Sequence, residues 1–103
     1  MREFATREIR EAWAHAQAGG QALHRMTGQW AKGWGGPACF RRAKEFAHLL
    51  DQDAGRLRAT ARRLGVRKIV VSRPGTPQQH VDLCGKPLAK AKAEAARENP
   101  HVA

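Results

Sequence analysis

The chain has 103 residues, which is enough for one hydrophobic core and too short for a second catalytic domain beside it. Its 19 Lys and Arg residues outnumber its 9 Asp and Glu residues and give a net charge of +10, which favours a nucleic acid or a nucleotide as partner. The sequence contains no signal peptide and no apolar run of bilayer length, so we expect a soluble cytoplasmic protein with no membrane partner.

The positive charge is concentrated in the C-terminal half. Residues 1–52 have 8 basic and 5 acidic side chains, whereas residues 53–103 have 11 and 4. A field of this sign attracts phosphate-rich polymers. The alternative is that the charge only keeps the protein in solution.

The two cysteines, Cys39 and Cys84, are far apart in the sequence and form no C-x-x-C pair. This spacing indicates neither a disulfide framework nor a zinc knuckle. We therefore expect free thiols in a reducing cytoplasm.

Residues 1–18 have the pattern of an amphipathic helix. Apolar residues recur every three or four positions over 5–16, and charged residues fill the other side. Gly19-Gly20 ends the helix, because tandem glycines are costly in a helix interior. Trp13 on the apolar side is predicted to be a core anchor.

Residues 21–36 are rich in glycine and are predicted to form a loop, with a short strand as an alternative for part of it, and Trp30 and Trp34 stand near Arg25 and Lys32 in the sequence. Two aromatic faces among cations are typical of a platform that stacks on nucleic-acid bases. The alternative is that both tryptophans cover the small core.

Two more helices are predicted in the middle of the chain. The second begins at Pro37 and ends near Asp51, because apolar residues recur with helical spacing over Phe40–Leu50. The third begins after Asp53, which can cap it, and ends at Gly65.

Two extended segments are predicted next. The β-branched run Val66–Ser72 favours a strand buried on both faces. Residues 73–77 contain two prolines and a glycine, which predicts a loop. Gln79–Leu83 alternates polar and apolar residues, and an extended conformation would put His80 and Asp82 on one face.

With a last helix over Lys86–Arg97, these elements predict an α+β fold, or a small α/β fold. It is expected to be predominantly helical, with about four helices and a sheet of two or three strands. We expect residues 1–103 to form a single domain, with the N-terminal amphipathic helix over 1–18 and a helix-helix-strand-loop-strand-helix core over 38–97.

His80 and Asp82 are the strongest candidates for chemistry, because a carboxylate on the same face can orient or polarise an imidazole. The alternative is that Asp82 caps the turn before the last helix and His80 is a partly exposed polar residue. His48 and Asp51, three apart on the predicted second helix, would share a face and could add ligands or acid-base groups. The alternative for His48 is a core position.

Three short motifs, Ala47-His48-Leu49, Leu64-Gly65 and His80-Val81-Asp82-Leu83, resemble those of a family of small uncharacterised bacterial and phage proteins, a domain of unknown function. That family has Ser-His-Leu, an Ala-x-x-Leu-Gly helix end and His-Tyr-Asp-Leu, so Ala47 and Val81 replace its Ser and Tyr. The resemblance covers about residues 38–96. It implies motif positions for His48, His80 and Asp82 and a phage or mobile-element origin.

Three functions compete. The leading prediction is a nucleic-acid or nucleotide binding module, with phosphate contacts from Arg62, Arg63, Arg67, Lys68 and Arg73. The second is a small phosphoesterase or nuclease in which His48, His80 and Asp82 act directly or through a divalent metal. The third is a phage protein that binds and inhibits a host defence complex.

Overall fold

The structure, a computed structural model, describes residues 1–27 and 45–99. Within these ranges the chain forms four strands and three helices. The strands are β1 (Arg2–Phe4), β2 (Ala22–Thr27), β3 (Glu45–Leu50) and β4 (His80–Leu83). The helices are α1 (Ile9–Gln17), α2 (Ala54–Arg63) and α3 (Gly85–Glu98).

The strands form one mixed sheet in the order β1-β2-β3-β4. β1 and β2 are parallel, which requires the crossover that α1 supplies. β2 with β3 and β3 with β4 are antiparallel. β3 is therefore a central strand with a partner on each side.

The two faces of the sheet bury different sets of side chains, because successive residues of a strand point to opposite faces. On β3, Ala47 and Leu49 belong to the larger core, which α2 and α3 cover. Leu50 belongs to a smaller cluster under α1, where Phe4, Ala22, Ala12 and Ala16 also lie. His48 is on the α1 face of the sheet, with Leu50.

The prediction of a predominantly helical fold with about four helices and a two- or three-stranded sheet is wrong. The second predicted helix is the main error over its described part, since Glu45–Leu50 is a strand. Its apolar run Phe46-Ala47 and Leu49-Leu50 satisfies helical spacing, but it equally suits a strand covered on both faces. The fold is α+β.

Two other segments also differ from the prediction. The N-terminal helix begins only at Ile9, because Arg2–Phe4 pairs with β2 instead. The strand predicted over Val66–Ser72 is absent, apart from a single bridge between Ser72 and His80. Val70 is 58% exposed, so the β-branched run here does not indicate burial on both faces.

The elements with explicit end signals are confirmed. The Asp53 carboxylate accepts a hydrogen bond from the Arg56 amide at the start of α2, and Gly65 has the positive φ of +95° that follows a helix end. The extended Gln79–Leu83 segment contains β4, and α3 covers the last predicted helix. Within the described residues, no helix is long and apolar enough to cross a membrane. The division into domains stays a prediction.

Cys84 is disulfide-bonded, so the expectation of a free thiol at this position is wrong. The other cysteine of the chain, Cys39, lies outside the described residues. Disulfides persist mainly in oxidising compartments. The thiol argument for a reducing cytoplasm therefore fails, and the cytoplasmic location stays a prediction.

Asp51, directly after β3, ties together the ends of three strands. Its buried carboxylate accepts hydrogen bonds from the Gln21 side chain before β2, at 2.9 Å, and from Arg56 on α2, at 2.7 and 2.8 Å. Its carbonyl oxygen accepts a hydrogen bond from the Gln79 side chain before β4, at 2.9 Å. Burial by itself raises the pKa of the Asp51 carboxyl, but the hydrogen bonds from Arg56, the Asp53 amide and Gln21 outweigh it and lower the pKa.

We predict that Asp51→Ala lowers the free energy of unfolding by about 2 to 4 kcal/mol, because several hydrogen bonds to a buried charge are lost. The matched variant Asp53→Ala, which removes only a helix cap, should cost about 1 kcal/mol. Urea denaturation at pH 7 measures both. Because the folded-state pKa of Asp51 is lowered, its contribution should fade as the pH falls below about 3.9, the ordinary Asp value. Equal losses in the two variants would contradict the anchoring role.

A second prediction compares two apolar side chains. Leu49 is fully buried in the larger core, whereas Trp13 is only partly buried against the smaller cluster. Leu49→Ala should therefore cost about 3 kcal/mol and Trp13→Ala less, about 1 to 2 kcal/mol, in chemical denaturation. A larger loss at Trp13 would show that the α1 side contains the dominant core.

Candidate functional site

Three polar side chains meet on the α1 face of the sheet. The strand register sets His48 of β3 directly opposite Asp82 of β4, and His80 precedes Asp82 by two residues on the same face. The donor atoms of the three side chains all lie within 4.8 Å of one another. We call His48, His80 and Asp82 the His/Asp cluster.

Both imidazoles in the His/Asp cluster converge on one carboxylate oxygen. The distance from Asp82 Oδ1 is 3.2 Å to His48 Nε2 and 3.4 Å to His80 Nε2. The two rings are stacked with their centroids 4.1 Å apart. Asp82 Oδ1 is buried, and among the described residues these two close contacts lack the geometry of a regular hydrogen bond to it.

The tautomer of His80 follows from its other ring nitrogen. His80 Nδ1 lies 2.7 Å from the carbonyl oxygen of Gln78, and a carbonyl only accepts, so Nδ1 carries the proton and donates it. In neutral His80 the lone pair is therefore on Nε2, the atom that faces Asp82. Gln78 precedes β4 by two residues, so the loop ahead of the strand orients the ring.

The environment separates the pKa values of the two histidines. Burial and the neighbouring His80 lower the pKa of His48 to about 4, although the Asp82 charge acts in the opposite direction. Burial also lowers the pKa of His80, but the Asp82 carboxylate and the Gln78 carbonyl outweigh it, and the pKa is raised. His48 is accordingly the neutral imidazole near pH 7.

Arg73 is a predicted phosphate contact whose charge acts on the His/Asp cluster. Its charge lowers the pKa values of both His48 and His80, which places it within electrostatic range of the cluster. Arg73 has a positive φ of 51°, uncommon for a residue with a side chain, and the Thr76 hydroxyl hydrogen-bonds its carbonyl oxygen at 2.8 Å. The neighbouring residue Ser72 exchanges two backbone hydrogen bonds with His80, at 2.8 and 3.1 Å.

The other predicted phosphate contacts are not brought to the cluster. Arg62 and Arg63 are on α2, which packs against the opposite face of the sheet. Arg63 is paired with Glu94 of α3 at 2.6 and 2.9 Å. Arg67 and Lys68 are exposed in the segment after α2, and Trp30 and Trp34 lie outside the described residues.

The proposed link between His48 and Asp51 is wrong. Residues three apart share a face only on a helix, and on β3 the third residue after His48 lies beyond the end of the strand. The Asp51 carboxylate instead accepts hydrogen bonds from Arg56 and Gln21. Asp82 is not the cap of α3 either, because that position is Cys84.

Sequence inspection missed His24, which is 1% exposed and lies directly opposite His48 in the sheet. Its Nε2 donates to the Thr6 carbonyl at 2.8 Å, so its buried Nδ1 is an acceptor, and this atom has no hydrogen-bond partner among the residues that the structure describes. The ring centroids of His24 and His48 are 6.3 Å apart. The alternation Ala22, His24, Met26 was the available signal, but it becomes informative only once β2 is paired with β3.

No protein-family model, curated protein or solved structure matches the chain. The resemblance to the bacterial and phage family with a His-Tyr-Asp-Leu motif therefore stays a prediction. The interpretation of the His/Asp cluster rests on its own geometry.

The difference between the pKa values of His48 and His80 gives a direct prediction. In the metal-free protein, an NMR titration of the imidazole resonances should show a pKa of about 4 for His48 and a pKa above 6.5 for His80. Asp82→Asn should lower both values, since the Asp82 charge favours protonation of each ring. Two ordinary values near 6.5 would show that the rings are neither desolvated nor in contact.

Proposed function

We propose that this protein hydrolyses phosphate esters, with the His/Asp cluster activating the attacking water and Arg73 binding the phosphate. The observation that carries the proposal is the convergence of His48, His80 and Asp82 beside the charge of Arg73. Structural histidines do not need this arrangement, because the donor and acceptor nitrogens of a buried imidazole can be satisfied by main-chain groups alone.

Access to the cluster supports the proposal. The side chains of His48 and Asp82 are 24% and 26% exposed, so a small molecule can reach them although most of their surface is buried. α1 packs on Phe4, Ala22 and Leu50, nearer the β1 side of the same face. The cluster therefore lies beyond the area that α1 covers.

The geometry favours one mode of hydrolysis over another. In a phosphoryl transfer the attacking and leaving oxygens lie roughly in line on opposite sides of phosphorus. Two histidines acting as base and acid would have to stand on opposite sides of the phosphate. With stacked rings 4.1 Å apart and both Nε2 atoms beside one oxygen, His48 and His80 instead act together on the same side, that of the attacking water.

In this hydrolysis, bonds form and break as follows. The water oxygen forms a bond to phosphorus, its proton passes to the His/Asp cluster, and the bond between phosphorus and the ester oxygen breaks. The leaving oxygen takes a proton from solvent. Arg73, a planar cation suited to phosphate oxygens, would stabilise the charge that develops on the phosphoryl group.

The net charge of +10 supports a polymeric phosphate, DNA or RNA, as the class of substrate. Arg62, Arg67 and Lys68 are exposed and distant from the chemistry, so they would act through the long-range field. Arg73 alone among the predicted phosphate contacts would touch the reacting group. Binding without cleavage would correspond to the binding-module alternative.

The full chain should cleave a phosphodiester such as bis(p-nitrophenyl) phosphate, single-stranded DNA or RNA at low salt. Asp82→Asn should lower kcat by about 100-fold or more, because the attacking water loses its activating group. Arg73→Ala should lower kcat/KM by about 10- to 100-fold through the lost contact with a charged phosphate. The assay measures release of p-nitrophenol or of shorter oligonucleotides.

Asp53→Asn and Arg58→Ala are the matched controls, since they make the same charge changes on α2 or at its start, away from the cluster. Both should retain wild-type activity. If the wild type cleaves none of the three substrates, the hydrolase proposal is wrong. Retained affinity in that case, with a log-log salt slope of about −0.7 to −0.9 per neutralised phosphate, would identify a binding protein.

A further inference from the structure

The buried oxygen of Asp82 is unexplained by the protein alone. Asp82 Oδ1 has no hydrogen-bond donor in the described part of the chain, although two imidazole nitrogens lie 3.2 and 3.4 Å away. A buried carboxylate oxygen that lacks a hydrogen bond of regular geometry recovers only part of the hydration that it loses. A cation among the three donor atoms would remove this cost.

The distances suit an ion of a particular size. Ligands about 2.0 to 2.1 Å from a tetrahedrally coordinated ion are about 3.3 Å from one another. The two nitrogen-to-oxygen distances in the His/Asp cluster are 3.2 and 3.4 Å. Both imidazole nitrogens are therefore already as far from the carboxylate oxygen as two ligands of such an ion would be from each other.

The orientation of His80 suits the same role. Its Nδ1–H donates to the Gln78 carbonyl at 2.7 Å, which leaves a free lone pair on Nε2, the atom 3.4 Å from Asp82 Oδ1. Histidines that bind metals commonly donate their other ring N–H to a carbonyl or carboxylate, because this fixes the tautomer and the ring orientation. Here the main chain ahead of β4 performs that function.

We infer that His48 Nε2, His80 Nε2 and Asp82 Oδ1 bind one Zn²⁺ ion, with the fourth coordination position open to water or to a substrate oxygen. Two imidazoles and one carboxylate suit zinc or a similar transition metal, whereas Mg²⁺ and Ca²⁺ prefer oxygen ligands throughout. Three protein ligands and an open position are typical of catalytic rather than structural zinc sites. The inference goes beyond the proposed hydrolysis, since the ion can bind whether or not the protein cleaves phosphate esters.

Zinc binding is tested on the full chain, without an affinity tag and after treatment with a chelator. Isothermal titration with Zn²⁺ should give one site per chain, and Mg²⁺ or Ca²⁺ in excess should not displace the ion. Co²⁺ should give the visible absorption of a tetrahedral complex. The melting temperature of the wild type should rise with the Zn²⁺ concentration, because the ion binds the folded state.

Asp82→Asn and His80→Gln preserve side-chain shape and should each weaken Zn²⁺ binding by more than about 100-fold, beyond the usual effect of outer-shell substitutions. The matched controls Asp53→Asn and His15→Gln alter an Asp and a His away from the cluster and should bind as the wild type does. Circular dichroism confirms that each variant is folded. The absence of a Zn²⁺ site in the folded wild type, or equal affinity in all four variants, overturns the inference.

The metal site and the hydrolase proposal fail separately. Stoichiometric Zn²⁺ binding without cleavage of any phosphodiester supports the site and contradicts the hydrolase. Cleavage that persists at full rate after chelation, together with no Zn²⁺ binding, supports the hydrolase and overturns the metal site.

Discussion

The arrangement of the strands depends on the hydrogen bonds that Asp51 makes. Asp51 stands at the end of β3, where its carboxylate accepts a hydrogen bond from Gln21 before β2 and its main-chain carbonyl accepts one from the Gln79 side chain before β4. Arg56 neutralises the buried charge from α2, with two hydrogen bonds in the planar fork geometry that suits a carboxylate. Asp51 thus aligns three strands and α2, the helix that follows β3.

Alignment matters because a shift of one residue exchanges the two faces of a strand. In the observed register, Leu49 is in the larger core and His48 is on the other face opposite Asp82. A one-residue slip of β3 would place the His48 imidazole in the apolar core and expose Leu49. The same hydrophobic burial that stabilises the sheet therefore holds His48 beside Asp82.

The loop ahead of β4, which contains Arg73, is also held by Asp51. Gln79 is buried, and while its amide nitrogen donates to the Asp51 carbonyl, its side-chain oxygen accepts from the Gly75 amide at 2.8 Å. The loop that contains Arg73 is therefore fixed to the end of β3. This places a cation near two histidines and a carboxylate without a separate element to support it. A phosphoester hydrolase and a zinc site both need such a rigid arrangement, since misplaced groups lose most of their effect.

The division of the basic residues has a physical meaning. Arg63 is engaged with Glu94 and contributes to packing of α2 against α3, whereas Arg73 influences the two histidines directly. Total charge describes attraction at long range, but contact chemistry depends on which side chains a fold brings within a few ångströms. The sequence shows the total charge, but it does not show which side chains the fold brings into contact.

Features that depend on local chemistry could be predicted from the sequence alone. The Asp53 cap, the glycine after α2, the extended His80-Val81-Asp82 and the last helix were all predictable, because caps, turns and two-residue alternation act within a few residues. The shared face of His80 and Asp82 was predictable for the same reason. Only the tertiary structure decided that Glu45–Leu50 is a strand, because its apolar run fits a helix or a doubly covered strand and the presence of β2 and β4 on both sides selects between them. That choice moves His48 from a helix beside Asp51 to a central strand opposite Asp82, and the candidate site exists because of pairing between residues 34 positions apart in the chain.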